Sequence, residues 1–163
     1  MQFEPLAVSV DLVNDNIKFT GSLRDNPPIT VDYTPPIGDG EGYTSLELFL
    51  ISLATCVGST VLLVLRKMRK TITGCQVRAH GVRREEHPTC FRTISVELTL
   101  NSLDVTESDV QNALRIAETS LCPVWAMIKN NVEVTASYQI ISADGKEAGP
   151  SDSSTSDIPG VCV

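Results

Sequence analysis

The apolar stretch from Leu46 to Leu65 constrains the fold of this chain more than any other segment. It carries Glu47 at its start, Cys56 at its centre and no further charge until Arg66. A transmembrane helix needs about 20 apolar residues, and a basic flank suits a membrane edge. A helix that is apolar on all sides can instead be buried within a domain. Small residues in its middle suit close packing, so the pattern favours a buried helix that a second chain helps to cover, in a homodimer.

Composition places the chain among globular proteins. It has 163 residues, of which 42% are hydrophobic and 20% are charged. We expect one domain over residues 1–142 and a flexible tail over 143–163, which is rich in Ser, Asp, Gly and Pro. The net charge of −7 leaves no basic excess for binding nucleic acid. The first residues lack the pattern of a signal peptide, so we expect a cytoplasmic protein.

Hydrophobic periodicity predicts nine helices and strands. Alternating apolar residues predict strands at 7–13, 17–20, 29–33, 76–84, 91–101 and 132–140. Helical spacing predicts helices over 44–70, from 106 to 121 and over 124–129. The apolar residues that recur in the second helix are Val110, Ala113, Leu114, Ala117 and Leu121. The resulting order, β-β-β-α-β-β-α-α-β, indicates an α+β fold with antiparallel sheets.

The number and spacing of the cysteines do not match a metal site or a disulfide framework. The cysteines lie at positions 56, 75, 90, 122 and 162, an odd number without a CxxC pair. Neither His80 nor His87 has the spacing of a zinc ligand from two of them. We therefore expect no metal. A chain inside the cell keeps its thiols reduced, so a role for any of them is packing or redox chemistry.

Two cysteines stand out by position. Cys56 lies at the middle of the long helix, where simple packing is the usual role of a cysteine. Cys122 precedes Pro123 at a helix start, where backbone N–H groups and the helix dipole lower a thiol pKa. A reactive thiolate also needs a cation, and Arg24 is the one basic residue of the loop region at 21–28. The alternative for Arg24 is an ordinary solvated loop arginine.

Three segments resemble a known family. TSLELFLISLATCVGSTV resembles the helix signature of the OsmC/Ohr family, the osmotically inducible and organic hydroperoxide resistance proteins. SLCPVWAMI resembles the second cysteine motif of that family, and VRREEHPTCFRTISVELTL resembles members of its OsmC-like subgroup. The resemblance extends from about Val8 to Ile141. It implies the OsmC-like fold, an intertwined homodimer with β-sheets wrapped around central helices and active sites at the interface.

The same resemblance implies an activity, which is the thiol-dependent reduction of organic hydroperoxides without a cofactor. Cys56 would be the peroxidatic cysteine, Cys122 the resolving cysteine and Arg24 the residue that activates the thiolate. The partners would be a small organic hydroperoxide as substrate and an external dithiol as reductant. The apolar residues near Cys56 would favour organic over hydrogen peroxide by burying the alkyl group.

The chain departs from the family pattern at one position. Leu46 stands where the better-known peroxidases of the family carry a glutamate. The neighbouring Glu47 points elsewhere, because one helical step turns a side chain by about 100°, and we interpret it as a first-turn helix acid. This departure motivates an alternative function, a non-catalytic or redox-sensing dimer. A protein anchored in a membrane by its long apolar helix is a third interpretation.

Overall fold

The computed structural model describes residues 4–141, so the predicted tail at 143–163 lies outside the described residues. Its elements follow the predicted order. In sequence they are β1 (Ser9–Leu12), β2 (Phe19–Ser22), β3 (Ile29–Val31), α1 (Ser45–Lys67), β4 (Gly74–Arg83), β5 (Phe91–Asn101), α2 (Glu107–Ile116), a π-helical segment (Ala117–Leu121), α3 (Pro123–Ile128) and β6 (Glu133–Ile141). The α+β class is confirmed, and the π-helical segment is the one element among them that periodicity did not predict.

The chain divides after Phe49 into two compact units. The first unit holds the antiparallel sheet β1-β2-β3, in which Leu12 pairs with Phe19 and Phe19 pairs with Val31. The predicted hairpin of the first two strands is thus confirmed. The loop after β3 is organised by buried Asp32, whose carboxylate accepts backbone N–H bonds from Asp39 and Glu41, at 3.1 Å each. These bonds hold the loop that leads into α1.

The second unit holds the sheet β4-β5-β6, whose two strand pairs run in different directions. β4 and β5 are antiparallel, whereas β5 and β6 are parallel. The prediction of antiparallel sheets is therefore wrong for this last pair. The reason lies in the connection: α2, the π-helical segment and α3 return the chain to the end of the sheet where β5 began, and such a crossover joins parallel strands.

The core of the second unit is built on one face of β5. The predicted alternation is confirmed, because the apolar side chains of that face are at most 1% exposed. They are Ile94, Val96, Leu98 and Leu100. α1 lies close to this sheet at Gly58, where an added Cβ would be 2.8 Å from Cγ2 of Val77. Only a residue without a side chain permits that approach of helix and strand.

Within the single chain, α1 is buried on one side and exposed on the other, so the predicted burial on all sides would require a second chain. Leu53, Val57 and Val61 are fully buried, whereas Ile51 is 45% and Leu63 is 56% exposed. By length and composition, α1 is the one described helix that could cross a membrane, and 44% of its most apolar window is buried within the chain. The exposed side is apolar or small and carries no charge between Ile51 and Leu63.

Candidate functional site

Cys56 and Cys122 meet in the second unit. The thiol of Cys122 donates a hydrogen bond to the Sγ atom of Cys56 at 2.7 Å, and both are free thiols. Cys122 is buried and Cys56 is half-buried, so the pair is reached from the side of Cys56. A disulfide bond is about 2.05 Å long, so these sulfurs need to approach by less than about 1 Å to form one.

Cys56 owes its partial exposure to its place on α1. With about 100° between successive residues, it lies at the border between the buried side of the helix and the exposed side. The buried Thr60 donates from its hydroxyl to the Cys56 carbonyl at 2.9 Å. Gly58, two residues on, sets the close approach of this part of the helix to β4. The helix thus holds the Cys56 thiol beside Cys122 while leaving it accessible.

Cys122 is the N-cap of α3, as its place before Pro123 predicts. Pro123 occupies the first turn, where its missing N–H leaves no helical bond unmade. The Sγ atom of Cys122 accepts the backbone N–H of Trp125 at 3.4 Å. A thiol in an N-cap position is therefore fixed in direction by its own helix, and it faces Cys56.

The pKa of Cys122 moves in the direction opposite to the prediction. Burial is the largest cause that raises it, the hydrogen bond with Cys56 adds to that, and the resulting pKa is about 11. The backbone N–H groups of Val124 and Trp125 lower the pKa, as expected at a helix start, but they do not offset the burial. Cys122 is therefore a protonated thiol at neutral pH, suited to donate a hydrogen bond to Cys56.

Arg24 lies in the first unit, in the exposed turn that follows β2. Its backbone is in the left-handed region, with a φ of 53°. Within residues 4–141, its guanidinium forms no ion pair with a carboxylate. The structure brings the two cysteines together within the second unit. The activating role of Arg24 stays a prediction.

The first turn of α1 confirms the interpretation of Glu47. Its Oε2 atom accepts the backbone N–H of Thr44 at 2.7 Å and the Thr44 hydroxyl at 2.9 Å. The Glu47 N–H donates back to the Thr44 hydroxyl at 3.3 Å, which completes a capping box. These bonds hold the pKa of Glu47 below its ordinary value. Glu47 is thus a helix cap, and the half-buried Leu46 beside it carries no acid.

Helical periodicity missed the π-helical segment before Cys122. It grouped Leu121 with the buried side chains of α2, whereas the structure leaves Leu121 50% exposed and buries Cys122 instead. The signal that could have revealed it is the spacing of five residues from Ala117, the last buried residue of the helix, to Cys122.

Comparisons with known proteins agree with this fold. Residues 38–137 match the family described as OsmC-like protein. Protein YhfA of Escherichia coli (strain K12) is 28% identical over 98 residues, which cover 60% of this chain and 73% of YhfA. A hypothetical protein of Aquifex aeolicus VF5 has a similar structure, with a TM-score of 0.74 and 24% identity over 86% of this chain and 98% of that one.

Two further solved structures have the same fold. The OsmC-like protein of Mycoplasma pneumoniae matches with a TM-score of 0.70 and 17% identity, over 86% of this chain and 99% of that one. The organic hydroperoxide resistance protein OsmC of Legionella pneumophila matches with a TM-score of 0.65 and 12% identity, over 88% of this chain and all of that one. Because the family match spans more than half of the sequence, this chain belongs to the OsmC-like protein family.

Proposed function

We propose that this protein is a thiol peroxidase that reduces organic hydroperoxides in the cytoplasm, with Cys56 as the peroxidatic and Cys122 as the resolving cysteine. The observation that supports this most strongly is the 2.7 Å contact of their Sγ atoms. The contact joins a half-buried thiol, which a substrate can reach, to a buried thiol close enough to attack it after oxidation, and this arrangement suits a two-cysteine cycle. Membership in the OsmC-like family and the fold shared with a hydroperoxide resistance protein support the substrate class.

The first step is oxidation of Cys56. Its thiolate attacks the terminal oxygen of the hydroperoxide, an S–O bond forms and the O–O bond breaks. The alkoxide takes up a proton and leaves as an alcohol, while Cys56 becomes a sulfenic acid. The Cys122 thiol stabilises the thiolate beforehand, because a hydrogen bond to a charged acceptor is stronger than one to a neutral acceptor. Arg24 is the predicted cation, a role that rests on the family resemblance and on its being the one basic residue of the loop region at 21–28.

The second step is resolution by Cys122. Its sulfur attacks the sulfenic sulfur of Cys56, the S–S bond forms, the S–O bond breaks, and water leaves with the proton of the Cys122 thiol. An external dithiol then attacks the disulfide, passes through a mixed disulfide and becomes a disulfide itself, which restores both thiols. Each cycle therefore consumes one hydroperoxide and one dithiol and releases one alcohol and one water.

The surroundings of the pair favour an organic substrate. Leu53 and Val57 lie next to Cys56 on α1, and Trp125 lies one turn after Cys122 on α3; all three are buried. Because these side chains are buried, they make the interior beneath the pair apolar. An alkyl group that binds over Cys56 would leave water, which lowers its free energy by about 25 cal/mol per Å² of apolar surface removed. Hydrogen peroxide has no alkyl group and gains nothing from this term.

We also propose that the protein is a homodimer. The first unit has a cavity of about 580 Å³, lined largely by apolar side chains that include Val8, Val10, Phe19 and Ile29. In the second unit, the uncharged side of α1 is exposed at Ile51 and Leu63. Apolar surfaces of this extent on a water-soluble chain mark an interface. A second copy of the same chain is the partner that the family resemblance implies.

One observation favours a second candidate, a redox-sensing dimer with little turnover. Leu46 replaces the acid that the better-known peroxidases of the family carry, and the carboxylate of Glu47 is engaged by Thr44. Without a carboxylate partner, the predicted Arg24 is less well fixed beside the thiolate. Such a protein would form the Cys56–Cys122 disulfide once, and an external dithiol would reduce it back to the two thiols only slowly.

Steady-state consumption of cumene hydroperoxide, with dithiothreitol as the reductant, tests the proposed function. We expect continuous turnover by the wild type and by Cys90→Ser, a control that removes a half-buried cysteine outside the pair. Cys56→Ser should consume peroxide no faster than buffer. Equal consumption by wild type and Cys56→Ser contradicts the peroxidase, and a single stoichiometric oxidation without turnover supports the sensing dimer.

A further inference from the structure

The last helical turn before Cys122 is wider than an α-turn. Over Ala117–Leu121 the chain is π-helical, and the Cys122 N–H donates to the Ala117 carbonyl, five residues back, at 3.0 Å. An α-helix would close the same turn with a bond to the residue four back. The π-helical segment therefore holds one residue more than the α-turn it replaces, and such turns are frequent at functional sites.

The extra residue changes which side chain points into the protein. Continuing α2 as an α-helix would place Leu121 about 40° and Cys122 about 140° from the direction of Ala117, which is fully buried. Leu121 would then be the inward residue. The structure shows the reverse, because Cys122 is 1% exposed and Leu121 is 50% exposed. The two neighbours have exchanged sides.

A side-chain hydrogen bond supports the widened turn. The hydroxyl of Thr119 donates to the Arg115 carbonyl at 2.7 Å, in the turn where the ordinary ladder of backbone bonds is interrupted. A threonine hydroxyl bonded four residues back is known to bend helices. Thr119 and its neighbours Glu118 and Ser120 are exposed. The packing of these three side chains therefore does not explain the extra residue.

We propose that the π-helical segment is the positioning element of the redox pair: it selects Cys122, rather than Leu121, to face Cys56. The redox purpose of the π-helical segment rests on the proposed function, whereas its geometry does not. In the α-helical register, the leucine side chain would take the inward position and the thiol would turn by about 100° away from Cys56. Formation of the Cys56–Cys122 disulfide therefore depends on the register of this turn.

Diamide oxidation tests the geometry without any peroxidase activity. Diamide accepts two hydrogens from two thiols, becomes a hydrazine and leaves a disulfide. The double variant Leu121→Cys, Cys122→Ser moves the thiol by one residue, to the exposed side, and Ser is a good N-cap for α3. We expect its disulfide with Cys56, mapped by peptide mass spectrometry, to form at least about tenfold more slowly than in wild type.

Deletion of Ser120 is the matched control. It removes the extra residue, so Cys122 then lies four residues after Ala117 and faces inward from an ordinary α-turn. We expect this variant to form the disulfide with Cys56 at nearly the wild-type rate. Circular dichroism establishes that each variant is folded; if the deletion variant does not fold, the double variant alone decides.

Two results would overturn the proposal. One is a double variant that forms the disulfide as fast as wild type, and the other is a folded deletion variant that does not form it. Dimedone labelling distinguishes the positioning role from general damage to the site. In the double variant, cumene hydroperoxide should still oxidise Cys56, and dimedone should label the resulting sulfenic acid. If wild type forms the disulfide with diamide but not with hydroperoxide, the proposed peroxidase fails while the positioning role stands.

Discussion

Cys56 and Cys122 lie 66 residues apart in the sequence, yet the Sγ atom of one accepts a hydrogen bond from the thiol of the other at 2.7 Å. Each is held by a different element, Cys56 by the middle of α1 and Cys122 by the start of α3. The reduced pair is therefore already arranged for a disulfide. Cys122 is buried whereas Cys56 is half-buried, so the two thiols differ in their access to reagents in solution.

The high pKa of Cys122 predicts an unusual pH dependence of its alkylation. In the Cys56→Ser variant burial remains, and burial is the main cause of the raised pKa. We expect the rate of reaction with iodoacetamide to rise about tenfold per pH unit from pH 7 to pH 10 without a plateau, since the thiolate is the reactive form. The same thiol in urea should level off near pH 8.5 to 9. A plateau below pH 9 in the folded protein contradicts the assignment.

The first turn of α2 predicts a loss of stability in acid. Asp109 accepts bonds from Lys70 at 2.7 Å and from the Thr106 N–H at 2.9 Å, and Lys70 is the largest cause that lowers its pKa, to about 2. Because the folded pKa lies below the ordinary value of 3.8, this stabilisation is present above about pH 4 and is lost as the pH falls towards 2.

Asp109→Ala should therefore lower the free energy of unfolding by about 1 kcal/mol at pH 7, the size typical of a helix cap. Its difference from wild type should shrink between pH 4 and pH 2. Urea denaturation measures both. The control is Glu107→Ala, the other acid of that turn, for which we expect a smaller change. A difference that stays constant down to pH 2 contradicts the role of the Asp109 carboxylate.

The contact of α1 with β4 predicts that Gly58 and Val77 are coupled. Gly58→Ala should lower the free energy of unfolding by about 1 kcal/mol, because the new methyl group meets the stiff side chain of Val77 and the strain outweighs the gain in helix propensity. In a Val77→Ala background, the same substitution should be neutral or stabilising. Urea denaturation of the four proteins measures the coupling, and additive effects would refute the close approach.

The exposed side of α1 predicts how the dimer can be disrupted. Leu63→Asp places a charge on the apolar side of the helix and should convert a dimer into smaller or unfolded species in size-exclusion chromatography with light scattering. Thr135→Asp, on the exposed polar side of β6, is the control and should remain dimeric. A monomeric wild type, or a dimeric Leu63→Asp variant, contradicts the proposed assembly.

Local patterns were sufficient for most elements of the fold. The alternation of apolar residues over 91–101 predicts β5 and its buried face, and the spacing of Val110, Ala113 and Leu114 predicts the buried side of α2. Both signals depend on near neighbours in the sequence. The parallel pairing of β5 with β6 depends on where the chain goes between them, and the period of each strand carries no information on its partner.

The candidate site was harder to predict from local sequence patterns. The two cysteines are joined by no local pattern, and only the family resemblance paired them before the structure did. The π-helical segment reversed the expected positions of Leu121 and Cys122, because one extra residue turns every later side chain. The predicted direction of the Cys122 pKa shift was also wrong. The sequence shows that Cys122 lies at a helix start, but it does not show how deeply that helix start is buried.

The most direct test of the proposed redox pair is the fate of the thiols after one equivalent of cumene hydroperoxide. Peptide mass spectrometry of wild type should show a Cys56–Cys122 disulfide, and Cys122→Ser should show a dimedone adduct at Cys56. Cys56→Ser should show neither product at Cys122. If Cys56 remains a free thiol in wild type, or if hydroperoxide oxidises Cys122 equally well without Cys56, the assignment of peroxidatic and resolving cysteines is wrong.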